Sequence, residues 1–254
     1  MCMMDYKIYA MELTNRCNGG CTWCPREKMT RSQGFMRMST VLNIAQHMKR
    51  IGQNYVALHH MGEPLLHPEI GTILLELKLW GIKTELSTNG SNLLQTLSQL
   101  IDTSLVRVRV AVDYFGFTAS DRFRKSYFEQ LDVAIGELVD NGVDVYVHSL
   151  EADLFALQWL KDKYPAITLH TKDFDNWAGQ VSGISKLPPG ECYFKTKNYV
   201  VVLWDGTIVV CCMDFDGKYV LGDINKNPEI LVHNTYKLCN TCMGLQFAYG
   251  GEWE

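Results

Sequence analysis

With 254 residues, 47% of them apolar and 20% charged, the chain has an ordinary globular balance that can bury a substantial core. A formal net charge of −4 and the lack of any basic run give no nucleic-acid footprint. No stretch reaches the roughly 18 consecutive apolar residues of a membrane span, and residues 1–6 carry no basic-then-apolar leader, so a cytoplasmic setting with reduced thiols is expected.

In chain order, residues 6–13 (YKIYAMEL) read as a strand running into a cysteine-bearing loop. Residues 38–52 have apolar positions at helical spacing, Ser39 or Thr40 as N-cap and Gly52 as stop. Residues 54–61 read as a strand, 68–81 as a helix closed by Gly81, 82–90 as a third strand and 93–101 as a helix. Residues 105–114 alternate with period two, and 126–142 form an amphipathic helix ending at Gly142. Strands at 143–150 and 166–172 flank a helix at 153–163. Strand–helix alternation through six units predicts a parallel sheet with right-handed crossovers, a partial, open barrel with its chemistry at the C-terminal strand ends. After residue 175 the texture changes: a turn-rich linker (187–194) precedes a hairpin over 199–212 that turns at Asp205-Gly206. Two domains are expected, 1–175 and 176–254.

Nine cysteines occupy the two ends of the chain, with none between residues 25 and 191. An odd count and tight spacings in a reducing setting favour metal ligation over disulfides. Cys17, Cys21 and Cys24 form C-x₃-C-x₂-C in a polar, glycine-containing loop. Three thiolates suit a cubane iron–sulfur cluster whose fourth iron stays open, whereas structural zinc wants four protein ligands.

With an aromatic residue, Trp23, before the third cysteine, this loop resembles the CX₃CXΦC signature of the radical S-adenosylmethionine (SAM) superfamily. That resemblance implies a partial (β/α)₆ barrel, a SAM-binding [4Fe–4S] cluster on Cys17, Cys21 and Cys24, and SAM chelated at the open iron. It further assigns Gly62-Glu63-Pro64 to the SAM amino group and the Ser87–Gly90 turn, through Ser87 and Asn89, to ribose and carboxylate. Arg124 is expected to pair with the SAM carboxylate. The distal cysteines resemble the SPASM/twitch auxiliary-cluster domains: Cys192, Gly206-x₄-Cys211, then Cys239-x₂-Cys242. The shorter twitch form implies one further, fully ligated [4Fe–4S] cluster; a structural zinc ribbon is the alternative for the same four residues. Cys211 fits the spacing better than Cys212.

The resemblance implies reductive cleavage of SAM to a 5′-deoxyadenosyl radical that takes a hydrogen atom from the substrate, with flavodoxin or ferredoxin as reductant. A fully ligated auxiliary cluster suits electron acceptance, hence a two-electron oxidation of a small hydroxylated molecule, as in the radical-SAM dehydrogenase of aminocyclitol biosynthesis that this chain resembles. A peptide- or protein-modifying maturase is the alternative. A non-catalytic iron–sulfur or zinc protein accounts for the cysteines but not for Gly62-Glu63-Pro64 or Trp23. Candidate substrate contacts at strand ends are Glu12, His59, Asp113, Tyr114, His148 and Glu151.

Overall fold

The computed structural model describes residues 6–113, 115, 120–149, 157–171, 177–181, 192–226, 230, 236–240 and 242. Strand β1 (Lys7–Met11) leads into the cysteine loop; α1 (Met38–Arg50), β2 (Tyr55–Ala57), α2 (Ile70–Leu79), β3 (Lys83–Thr88) and α3 (Leu93–Thr96) follow. Next come β4 (Leu105–Ala111), α4 (Asp121–Asp140), β5 (Asp144–Ser149), α5 (Gln158–Lys163) and β6 (Thr168–Thr171). These six strands lie side by side, all parallel, in the order β6-β5-β4-β3-β2-β1. The alternation of short apolar strands with amphipathic helices thus produces the expected α/β partial barrel.

The two faces of the sheet separate by period two. Leu86, Val108, Val110, Val145 and Val147 are buried in one apolar cluster with Ile73 and Leu77 of α2 and Leu131 and Ile135 of α4. Glu85, Arg107, Arg109, Tyr146 and His148 alternate with them and so line the inner face. There Glu85 pairs with Arg109 (Oε1–Nε 2.8 Å), Arg107 with Asp144 (2.8 Å), and both guanidinium groups lie over the Tyr146 ring. The barrel floor is a layer of matched charges.

Several elements differ from the sequence expectation. Arg37, not Ser39 or Thr40, holds the N-cap position of α1; Thr40 sits in the first turn and donates to Asn225 Oδ1 (3.1 Å). β2 ends at Ala57, because the chain then leaves the sheet to bring His60 and Met61 to Glu12. The expected helix over 93–101 is α3 followed by a 3₁₀ turn, Leu97–Gln99.

Beyond the linker, α6 (Tyr193–Thr196) precedes β7 (Tyr199–Val202), β8 (Thr207–Val209) and β9 (Val220–Asp223). β7 and β8 form the expected antiparallel hairpin, with Gly206 at φ +96° and its N–H on the Leu203 carbonyl (2.9 Å). β7 also pairs in parallel with β1, Lys7 opposite Tyr199 and Met11 opposite Val202. The hairpin therefore continues the barrel's own sheet, which among the described residues runs β6-β5-β4-β3-β2-β1-β7-β8-β9. The expected domain boundary at 175/176 lies outside the described residues. No helix among them is long and apolar enough to cross a membrane.

Candidate active site

Cys17, Cys21 and Cys24 occupy the loop after β1 as half-buried thiols, none of them in a disulfide. The Gly19 N–H donates to Cys17 Sγ (3.3 Å), and Arg26 fixes that turn by donating to the Gly19 carbonyl (2.9 Å). The Cys24 N–H closes on the Cys21 carbonyl (3.1 Å), and Pro25 then starts a 3₁₀ turn, Pro25–Lys28. Burial pushes all three thiols up, Cys21 to about 12, with the charges of Cys24 and Cys17 adding to that of burial. Three thiols near enough to raise one another need a positive core before they can ionise together, which bound iron supplies. Among the described residues, no three His, Cys, Asp or Glu side chains close on a point as a single ion requires. A cubane places each thiolate on a separate iron, so this donor set fits a cluster.

Two strand-end turns wall the loop. Gly62 has φ +87°, and a Cβ there would lie 2.7 Å from the Arg16 carbonyl oxygen and 2.8 Å from the Asn15 carbonyl carbon. Glycine is therefore required for this turn to lie backbone-to-backbone against the approach to Cys17. The next N–H, of Glu63, donates to the Arg16 carbonyl (2.7 Å). The Glu63 carboxylate is buried and accepts from Leu65 N–H (3.0 Å), Thr88 Oγ1 (2.7 Å) and Asn89 N–H (2.7 Å). Burial outweighs these donors and pushes its carboxyl up to about 7. The side chain expected to meet the SAM amino group is thus first a tie between two turns, with most of its acceptor capacity used by the protein. Asn89 in turn donates to Asn18 Oδ1 (2.9 Å), its Nδ2 stands 4.0 Å from Cys17 Sγ, and Asn18 donates to Ser91 Oγ (2.8 Å). Tyr127, buried on α4, donates to the Asn89 carbonyl (2.9 Å).

The distal cysteines gather beside the hairpin. Cys192 caps α6, its carbonyl accepting from Lys195 and Thr196 N–H (both 3.0 Å). Cys192, Cys211 and Cys212 pack on one apolar cluster with Phe194, Val201 and Val209; Cys211, Cys212 and Cys242 pack on another with Met213 and Leu238. Cys239 lies in the 3₁₀ turn Lys237–Asn240 beside Leu238. Burial pushes Cys211 up to about 12, opposed by the Met213 N–H and reinforced by Cys242. Cys211 and Cys212 both pack against these clusters, so either lies beside the distal set.

Residues 11–151, more than half of the chain, match the family described as the radical SAM superfamily. The chain belongs to that superfamily. Residues 192–243, which contain Cys192, Cys211, Cys239 and Cys242, match the SPASM iron–sulfur cluster-binding domain. A probable GTP 3′,8-cyclase of Methanothermobacter thermautotrophicus is 30% identical over 137 residues, 53% of this chain and 44% of its own length. The match to this curated relative therefore spans less than half of it. A probable GTP 3′,8-cyclase of Methanococcus maripaludis is 22% identical over 97% of this chain and 83% of its own length. Among solved structures, BtrN in complex with AdoMet and 2-DOIA has a TM-score of 0.62 at 19% identity, over 89% of this chain and 81% of that one. Streptococcus suis SuiB bound to its precursor peptide SuiA has a TM-score of 0.65 at 11% identity, over 89% and 64%. These structural likenesses show a shared radical SAM fold.

Within the radical SAM barrel, the remaining candidates separate. Asp113, buried at the end of β4, accepts from Ser149 Oγ (2.6 Å) and adds to the charge felt by Cys21. His148 lies on the inner face of β5, in register with Ala111 and His170. Arg124 stands on α4 and pairs with Asp121, while its buried Nε has no partner among the described residues. That orphaned donor suits an anionic group such as a SAM carboxylate. Trp23 in the cysteine loop, His59 after β2 and Ser87 on β3 are half-buried. Tyr114 and Glu151 lie outside the described residues.

Glu12 lies at the centre of a buried network. It is 0% exposed and takes a bidentate pair from Arg31 (2.5 and 2.6 Å), His60 Nδ1 (3.3 Å), Met61 N–H (3.2 Å) and Trp204 N–H (3.3 Å). No oxygen is left to meet a substrate. Burial raises its pKa, and the hydrogen bonds and charges of His60 and Arg31 outweigh burial, holding the carboxyl below its ordinary value. Arg31, His60, Trp204 and Asp216 were not legible as site residues, since their partners lie far off in sequence.

Proposed function

We propose that this radical SAM enzyme performs a net two-electron oxidation of a small hydroxylated molecule. SAM and a [4Fe–4S] cluster would be held at Cys17, Cys21 and Cys24, and a second, twitch-type [4Fe–4S] cluster at Cys192, Cys211, Cys239 and Cys242. When bound, the first cluster and SAM supply a 5′-deoxyadenosyl radical that takes a hydrogen atom, and the second accepts the electron left behind. The observation that carries the reading is the contrast between a loop of three free thiols, which would leave one iron of a bound cluster open, and a distal cysteine set matched to the SPASM domain that could supply four ligands. The likeness to BtrN over most of both chains agrees with it.

The protein's own work is placement. Gly62 lets the turn at 62–64 reach the cysteine loop, Glu63 fixes that turn to the Thr88-Asn89 turn, and Asn18 and Asn89 hold both against Cys17. Pro64, buried, starts the turn that follows Glu63, so its fixed φ sets the exit angle of the motif. Arg124 offers its guanidinium to the SAM carboxylate. Asp113, just past the end of β4, and His148, on the neighbouring β5, would bind substrate hydroxyls or take the proton released in oxidation.

A second reading rests on the cyclase relatives: a cyclisation of a purine nucleotide, for which the barrel similarity at 30% identity speaks. Anaerobic reconstitution with reductant and a physiological donor such as flavodoxin tests both. Label transfer from a deuterated aminocyclitol into 5′-deoxyadenosine, with ketone formation, supports the oxidation. Consumption of GTP favours the cyclase, modification of a peptide favours a maturase, and bound zinc without 5′-deoxyadenosine sinks all three.

A further inference from the structure

The Glu12 network has one arm that ends on the auxiliary site. His60 turns Nδ1 to Glu12 Oε1 (3.3 Å) and Nε2 to the Cys212 carbonyl oxygen (3.0 Å). A carbonyl oxygen can only accept, so Nε2 is the nitrogen that donates to it. The Cys212 carbonyl belongs to the same peptide unit as the Met213 N–H, and that N–H hydrogen-bonds Cys211. A donor on a peptide oxygen polarises its N–H and strengthens what that N–H gives. Hydrogen bonds to cluster sulfurs are among the terms that set an iron–sulfur potential.

The rest of the network holds this arm still. Arg31 reaches past Glu12 to donate from Nε to the Phe215 carbonyl (2.8 Å). Asp216 accepts from Thr30 N–H (2.5 Å), Thr30 Oγ1 (2.9 Å) and Arg31 N–H (3.3 Å). Trp204 donates from Nε1 to the Ser32 carbonyl (3.2 Å) and lies where a Cβ on Gly34 would stand, within 2.6 Å of three ring carbons. One buried carboxylate thus joins the segment after Cys24, the segment before Gly62 and the 211–217 loop.

The geometry points to His60 as a positioning residue that acts through the Cys212–Met213 peptide on Cys211 and sets the reduction potential of the auxiliary cluster. The inference rests on the reading that Cys192, Cys211, Cys239 and Cys242 hold that cluster. Removing the donor weakens the hydrogen bond to the ligand sulfur, which destabilises the more negative, reduced cluster and lowers its potential.

The test is anaerobic potentiometry followed by EPR on the reconstituted full chain, with the SAM-site cluster as internal reference. Iron content comes first: about eight irons in the wild type, falling to about four in Cys211→Ala, establish the second cluster. About four in the wild type removes the underlying reading and this proposal with it, before any His60 variant is made. His60→Phe keeps a ring and loses the donor to the Cys212 carbonyl, and His60→Leu is a second donor-free variant should the first not fold. Either is expected to shift the auxiliary reduction equilibrium about threefold, roughly 30 mV at 59 mV per tenfold for one electron. The SAM-site potential moves less, and His60→Gln, which keeps one donor, restores most of the difference. An unchanged auxiliary potential in a folded donor-free variant overturns the proposal, as does a shift that His60→Gln leaves undiminished.

Discussion

At the scale of single residues, Glu63 shows how a motif can be legible while its job is not. The triplet Gly62-Glu63-Pro64 is visible in the sequence, and resemblance assigns it to SAM; the structure spends the carboxylate on Leu65, Thr88 and Asn89. Its folded pKa, raised by burial from 4.5 to about 7, sets the sign of a pH effect. Between those values the folded chain binds the extra proton, so Glu63 makes stability fall as pH rises through that window, by about 3 kcal/mol in all. Urea unfolding under anaerobic conditions should show this slope in the wild type and its loss in Glu63→Gln. Gly62→Ala places a methyl group into the backbone of residues 14–16 at φ +87°. A loss of about 2–4 kcal/mol is expected, read from the urea midpoint, with SAM cleavage falling alongside. The Glu12 partners were hidden for a plain reason: Arg31, His60 and Trp204 stand 19, 48 and 192 residues from it, beyond any local pattern.

At the scale of elements, periodicity located the helices whose faces pack on the sheet and missed what tertiary contacts decide. The helix ending at Gly142 is right at its C-terminus, where Gly142 has φ +74°, and begins earlier than its apolar stripe, at Asp121. β2 is short because its C-terminal half is recruited to Glu12, a cause invisible in residues 54–61 themselves. The pairing of β7 with β1 was equally hidden, since a strand's partners are not encoded in its own alternation. This pairing makes β7 an interior strand, with β1 on one side and β8 on the other. Val201→Pro removes a ladder donor there and should cost about 3 kcal/mol or more. Because one sheet spans barrel and hairpin, the loss is expected as a shift of a single urea transition rather than as a separate early one.

At the scale of the whole molecule, cysteine spacing set a three-thiol loop apart from the distal cysteines, resemblance to SPASM/twitch domains picked four of the latter, and both family matches fall on those segments. What spacing could not show is that the two are joined through β1–β7 and through one buried carboxylate, Glu12. The central claim, two clusters of unlike ligation with chemistry at only one, is tested most directly by iron, sulfide and 5′-deoxyadenosine measured together on the anaerobically reconstituted chain. The account predicts about eight irons per chain and SAM cleavage in the wild type. Changing Cys17, Cys21 and Cys24 to alanine should leave about four irons and no cleavage, while Cys211→Ala leaves about four irons and still forms 5′-deoxyadenosine. A wild type holding about four irons, or one whose SAM cleavage survives loss of Cys17, Cys21 and Cys24, would contradict it.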